Sequence, residues 1–294
     1  MIHSNHASVA LVILTWNAEK YIKPLFKSIS EQSLAPDHIL VIDSSSTDNT
    51  VPLLLSYHVT PHVIPKHSFD HGGTRKLATE LVQADYYLFM TQDALPANPA
   101  TFQNLIQTLK EHPQAGCAYG RQLPYPTASP LSRHLRSFNY PKHNQMKAYE
   151  NKTSWGIKTC FNSDSFSAYK KTALDSIDGF PASLSFGEDI YVAAKMLLKG
   201  WKICYAANAE VIHSHDFTLK KEFTRYCSIG TFHRQESWIV RAFATPSREG
   251  IKYIYSEIAY LVRSGNFLWI PRACASWITK FLGYQLGYRG YLSK

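Results

Sequence analysis

The sequence predicts an α/β fold: a doubly wound, mostly parallel sheet flanked by helices, followed by a C-terminal helical extension. Three observations carry that prediction. Short, β-prone apolar runs alternate with amphipathic stretches through the first ninety or so positions. Isolated carboxylates, Asp43 and Asp93, stand just past two of those runs, at the strand ends where open α/β sheets gather their ligands. A chain of 294 residues is also long enough for one large domain with an appendage, and it needs no staples to bury a core.

The elements follow in order. Val9 to Leu14 reads as the first strand and Tyr21 to Gln32 as a helix. Ile39 to Ile42 is the second strand. After it, Asp48, Asn49 or Thr50 can cap a helix over Val51 to Tyr57, with Pro52 acceptable in its first turn. Val63 to Ile64 is extended, Arg75 to Val82 helical, and Tyr86 to Met90 a further strand. From Gly120 to Lys158 the prolines Pro124, Pro126, Pro130 and Pro141 stand among basic and aromatic residues, which predicts a long irregular connection over the open edge of the sheet. Phe161 to Tyr169 looks extended, and Glu188 to Lys199 forms an amphipathic helix stopped by Gly200. Trp201 to Tyr205 and Glu210 to His215 read as two strands. Beyond Leu219, aliphatic stretches carry aromatic anchors and basic heads, suited either to a membrane headgroup region or to a helical cap on the core.

Bulk properties exclude several classes. Cys117, Cys160, Cys204, Cys227 and Cys274 show no paired spacing, which argues against structural zinc and fits a reducing compartment, the cytoplasm. Met1 to Ser8 lacks positive charge and the apolar run after it is short, so it reads as the approach to a first strand and not as a signal peptide. No apolar run approaches the roughly 20 residues that span a bilayer, so any membrane association is expected to be peripheral. A net charge of +9 favours anionic partners. Charge alone does not choose among nucleotide diphosphates, acidic lipid and nucleic acid.

Five segments carry candidate chemistry, with Arg121, Trp155 and Tyr140 beside them. Asp43, opening a Ser-Ser-Ser-Thr-Asp turn, can accept hydrogen bonds from a pyrimidine edge or simply cap the turn. Asp70-His71-Gly72-Gly73-Thr74-Arg75 offers two glycines for close backbone approach and a bidentate donor in Arg75, a combination suited to diphosphate, although glycines before a helix are also ordinary turn chemistry. Asp93, in Thr91-Gln92-Asp93, is a hard oxygen ligand for Mg2+ or Mn2+. His213 and His215 share a strand face, where one could complete a metal site or both could be structural. Glu188 and Asp189 open a helix, where the macrodipole favours an ionised carboxylate able to act as general base, or where the acids merely complement the dipole. Arg121 can reach a diphosphate or an acidic acceptor, or belong to a surface ion pair. Trp155 and Tyr140 can serve as sugar platforms or pack on neighbouring chain.

Together these segments resemble glycosyltransferase family two, the inverting enzymes of GT-A type fold, over roughly Val9 to Phe217. The resemblance implies that Thr15, Asn17 and Asp43 hold the nucleoside, with Ser45, Gly73, Arg75 and Gln92 in the same nucleotide-binding set. It implies that Asp93 binds metal and that Glu188-Asp189 is the catalytic pair. Thr91 stands where the family's D-x-D has its first acid, which leaves Asp93, with a histidine as substitute ligand. Ile42-Asp43-Ser44-Ser45-Ser46-Thr47-Asp48, His71-Gly72-Gly73-Thr74-Arg75 and His213-Ser214-His215 look like the bacterial rhamnosyltransferase branch. That likeness implies dTDP-L-rhamnose as donor, a growing surface glycan or lipid-linked acceptor, and no nucleic-acid partner. It divides the chain into a GT-A domain over 1–218, nucleotide-binding to about 95 and acceptor-side beyond, and a basic-aromatic helical region over 219–294 able to meet the inner face of the membrane. A UDP-sugar-dependent enzyme of the same fold is the neighbouring alternative. A sugar-phosphate nucleotidyltransferase would carry a Gly-x-Gly-T-R loop where Thr15-Trp16-Asn17 stands, and a non-catalytic glycan- or membrane-binding module would have no use for the acid pair.

Overall fold

A computed structural model describes residues 7–243 and 249–291. Most of Met1 to Ser8, the segment weighed as a leader, lies outside the described residues. The first seven elements come in the expected order: β1 (Val9–Thr15), α1 (Glu19–Ser30), β2 (His38–Asp43), α2 (Thr50–Ser56), β3 (His62–Val63), α3 (His71–Leu81) and β4 (Tyr86–Thr91). Then come β5 (Leu95–Pro96), α4 (Thr101–Glu111), β6 (Ala115–Leu123), α5 (Pro130–Asn139), β7 (Gln145–Lys147), α6 (Lys152–Trp155), β8 (Phe166–Lys170), α7 (Lys171–Asp175), α8 (Glu188–Leu198) and β9 (Lys202–Ile212). Four helices close the chain: α9 (Leu219–Gln235), α10 (Ser237–Phe243), α11 (Glu249–Arg263) and α12 (Ile270–Arg289).

Among the described residues one sheet runs β3-β2-β1-β4-β8-β6-β9-β5, with β7 also on β9. β1 lies parallel to β2 and β4, and β2 parallel to β3. Val9 to Ile13 are buried because helices cover both faces of this part, and that is why they read as an unbroken apolar run. Beyond β4 the sheet turns antiparallel: β8 runs against both β4 and β6, and β5 and β7 run against β9. The parallel half therefore sets the carboxyl ends of β2, β1 and β4 side by side, with Thr15 opposite Asp43 and Leu14 opposite Thr91.

Three expectations need correction. Gly120 to Lys158 is not an irregular connection, since it holds the end of β6, α5, β7 and α6. Pro130, read as a loop signal, is the first residue of α5, and Ser129 caps that helix by accepting from the Ser132 amide at 3.2 Å. The extended run at Phe161 to Tyr169 becomes a strand only from Phe166. The two strands expected at 201–205 and 210–215 are one, because Ala206, Ala207 and Ala209 continue the ladder that the sequence pattern seemed to interrupt.

The chain forms two compact units, the first of 1–121, 142–149 and 161–213, the second of 122–141, 150–160 and 214–294. The first contains the sheet. In the second, α9 and α12 pack backbone to backbone through Gly230, Gly283 and Gly287, where an added Cβ would collide with the facing main chain. That unit also buries two carboxylates. Glu257 accepts from Tyr253 Oη at 2.5 Å and Trp277 Nε1 at 2.7 Å, and Glu222 accepts from Ser276 Oγ at 2.9 Å and faces Arg272 Nη1 at 3.2 Å. Burial works against ionisation of Glu257, but hydrogen bonds from His134, Tyr253 and Trp277 hold its carboxyl below the usual range.

Candidate active site

The loops after β1, β2 and β4 meet at one edge of the sheet. Asp43 is fully shielded: its Oδ2 accepts from Thr15 Oγ1 at 2.8 Å and Ser46 Oγ at 2.7 Å, and its Oδ1 from the Ser46 amide at 2.8 Å. Asn17 Oδ1 accepts from the Thr47 amide at 2.9 Å. Gln92 clasps the main chain of Trp16, accepting from its amide at 2.8 Å and donating to its carbonyl at 3.2 Å. Ser45 donates to the Ile64 carbonyl at 2.8 Å. Thr15, Asn17, Asp43, Ser45 and Gln92, expected to touch the nucleoside, thus each bond to these loops or to the main chain beside them. The Asp43 carboxylate organises this loop through those three hydrogen bonds. Asn17 and Ser45 both sit at positive φ, 47° and 55°, a left-handed conformation that costs a non-glycine residue energy and concentrates at functional loops.

Gly73 and Arg75 also differ from expectation. Both glycines lie inside the first turn of α3, where Asp70 caps the Gly73 amide at 2.7 Å and a Cβ on Gly72 would come 2.6 Å from the Pro181 carbonyl. They admit the Pro181 to Leu184 segment against this turn. Arg75 is buried, with Nε 2.9 Å from Asp164 Oδ2 and Nη1 2.9 Å from Glu188 Oε1. Its guanidinium serves two carboxylates instead of a ligand, and their attraction, with that of Asp189, outweighs burial and raises its pKa.

Asp164 is the residue sequence reading missed. It accepts from Ser167 Oγ and Tyr169 Oη, each at 2.6 Å, just ahead of β8. The Ser165 carbonyl beside it receives the Thr91 amide at 3.3 Å. A signal was present, an acid a few residues before an apolar run, but the segment was taken as continuous strand.

Through Arg75 and Asp164, the start of α8 is tied to the strand end that carries Asp93. Gly187 precedes that helix at φ 81°, a turn only glycine makes without strain, and Glu188 and Asp189 form its first turn. Glu188 is taken up by Arg75. Asp189 keeps one local hydrogen bond, from the Ile190 amide at 2.8 Å. Burial, then the nearby Glu188 and Asp164, push its carboxyl well above the ordinary range. This influence opposes that of the helix dipole.

Asp93 lies in the turn after β4, and buried His213, just past β9, places Nε2 3.5 Å from its Oδ1. A carboxylate oxygen and an imidazole nitrogen at that separation suit neighbouring ligands of one divalent cation better than a direct hydrogen bond. Arg121 pairs with Glu210 at 2.8 Å, the ion-pair alternative weighed for it. His215 and Trp155 belong to the second unit: the His215 carbonyl accepts from Ser132 Oγ at 3.2 Å, and Trp155 ends α6 half-buried. Tyr140 is buried under the Arg136 guanidinium and presents no platform.

A mixed sheet whose parallel half gathers carboxylates at its carboxyl edge defines an α/β enzyme of the GT-A type. The family model described as glycosyl transferase family 2 matches residues 10–178, and the chain belongs to that family. The O-antigen chain rhamnosyltransferase RfbN of Salmonella typhimurium is 40% identical over 281 residues, 95% of this chain and 89% of that protein. WbaN of Salmonella anatum, also an O-antigen chain rhamnosyltransferase, is 38% identical with the same coverage. The mannosyltransferase PcManGT of Pyrobaculum calidifontis, in complex with GDP-Man and Mn2+, superposes with a TM-score of 0.68 at 14% identity over 99% of this chain and 89% of that one. S. aureus TarS 1-349 with UDP-GlcNAc gives 0.56 at 14% identity over 97% and 91%. The last two likenesses are of fold.

Proposed function

We propose that this glycosyltransferase moves L-rhamnose from dTDP-L-rhamnose onto a hydroxyl of a growing, lipid-linked surface glycan, inverting the anomeric carbon. The observation that carries the reading is the 40% identity to RfbN over 95% of the chain. In this reading Asp189 takes the acceptor proton as the hydroxyl oxygen closes on the anomeric carbon, and the electron pair of the breaking C–O bond leaves with the nucleoside diphosphate on the opposite face. A carboxylate with raised proton affinity suits that work, because a base is most effective when its pKa lies near the working pH. Arg75, itself anchored by Asp164, holds Glu188 and with it the first turn of α8.

A divalent cation, Mg2+ or Mn2+, belongs to the same reading, with Asp93 and His213 as its protein ligands. His215, one residue removed from His213 along the chain, offers a further imidazole. Bound there, the ion supplies positive charge to the departing diphosphate. The reading puts the protein in the cytoplasm, at the inner face of the membrane that carries its acceptor.

Thermal melting across a panel of nucleotide sugars, each with and without Mn2+, tests the donor, since a ligand of the native state raises the melting temperature by mass action. The largest rise is expected with dTDP-L-rhamnose plus Mn2+. Equal rises with UDP-sugars would overturn the thymidine assignment.

A further inference from the structure

We infer that the outer face of the α11–α12 hairpin docks on a membrane surface rich in anionic phospholipid, lying on the bilayer without crossing it. This rests on the acceptor being lipid-linked only for its biological purpose, since the surface is argued from the hairpin alone.

Both helices turn apolar side chains outward. On α11, Ile251, Tyr255 and Val262 follow helical spacing on the side opposite buried Glu257 and Leu261, and all three are exposed. On α12, Ile278, Phe281 and Leu282 are exposed on the side away from Gly283 and Gly287, which are buried against α9. The turn joining the helices, Phe267–Trp269, is apolar throughout, and Leu268 at its tip is 81% exposed. Soluble monomers rarely leave this much apolar surface on one supersecondary unit without a partner.

Charge identifies the partner. From Gly250 to Lys294 the sequence has six Lys and Arg against one acid, Glu257, which is buried. Lys252, Arg263 and Arg289 are exposed beside the apolar positions. Glu249, the other acid at the start of α11, is held by Lys158 at 2.6 Å and Lys252 at 3.2 Å. An apolar face edged by cations and lacking an exposed acid complements an anionic headgroup layer over an acyl boundary. No helix among the described residues is long and apolar enough to span the bilayer, so the hairpin lies in the interface.

The test is co-sedimentation of the full chain with vesicles of phosphatidylcholine alone or mixed with phosphatidylglycerol. The wild type is expected to bind the mixed vesicles roughly tenfold or more tightly, an excess that shrinks with salt. Phe267→Ser with Leu268→Ser is expected to lower binding to both vesicles at an unchanged melting temperature, and Arg263→Glu with Arg289→Glu to abolish the preference for the anionic ones. A wild type that binds neither vesicle overturns the inference. So does a dimer that the Phe267→Ser, Leu268→Ser chain can no longer form, because a second copy then covers the face. Vesicle binding uses neither donor nor acceptor, so a chain that binds membrane but transfers no sugar keeps this surface and loses the proposed reaction.

Discussion

Asp189 sits where two influences oppose each other. The macrodipole at the start of α8 favours its charged form by about 0.3–1 kcal/mol, whereas burial beside Glu188 and Asp164 can move a carboxyl by several pK units, so the neighbours win. The acidic limb of the kcat/KM profile is therefore expected above the ordinary carboxylate range. Asp164→Asn keeps an acceptor for Ser167 and Tyr169 but removes one negative charge, so it should shift that limb to lower pH, a change that pH-rate measurements on both proteins would show. Stability follows the same sign. Below the unfolded carboxyl's pKa both states hold the proton and Asp189 contributes nothing; as pH rises, the unfolded state ionises first and the native state loses ground. Asp189→Asn should thus melt at a higher temperature than wild type near neutral pH, with the difference vanishing in acid. Cutting Asp164 back to alanine has the opposite effect, because it leaves buried Arg75 with Glu188 as its remaining carboxylate, a loss of up to about 3–5 kcal/mol measurable by urea unfolding. The acid pair at the start of α8 is visible in the sequence but the proton affinity of Asp189 is not, since that follows from burial and from Asp164 ahead of β8, which only the fold brings near.

Among the elements, α3 shows how a glycine pair misleads. Two glycines before an arginine read as an anion cradle, yet they let the Pro181 to Leu184 segment lie against the first turn of the helix. Alanine at Gly72 would gain up to about 1 kcal/mol of helix propensity. It would also press a methyl to 2.6 Å from the Pro181 carbonyl, an overpacking that costs about 1–3 kcal/mol. Gly72→Ala should therefore lower the melting temperature, not raise it. β1 and β4 were legible because burial on both faces leaves a continuous apolar run that sequence can show. The stretch around Pro130 was not, because a proline at the first helical position and a proline in a loop look alike until Ser129 is seen capping α5. Thr15, Asn17, Asp43 and Gln92 at the three strand ends were legible as a cluster, while the hydrogen bonds by which they brace the loops were not, since their partners come from other segments.

At the scale of the whole molecule, a sheet that is parallel from β3 to β4 and antiparallel beyond it separates the carboxyl ends of β1 and β2 from β9, which carries Glu210 and leads into His213. If Asp93 and His213 share a cation, Mn2+ should raise the melting temperature of the wild type and leave Asp93→Asn unmoved, which a thermal titration checks. The helical unit was legible as basic, aromatic helices, while its buried Glu222 and Glu257 networks were not, since acids in amphipathic helices ordinarily face water. The most direct measurement is transfer of rhamnose from dTDP-L-rhamnose to the lipid-linked glycan by wild type and by Asp189→Asn, with the anomeric configuration of the product read by NMR. The expected result is an inverted linkage made by the wild type and a rate lower by roughly a hundredfold to ten-thousandfold in the variant, whose fold is kept. Retention of configuration, or an Asp189→Asn chain that transfers at the wild-type rate, would contradict the account.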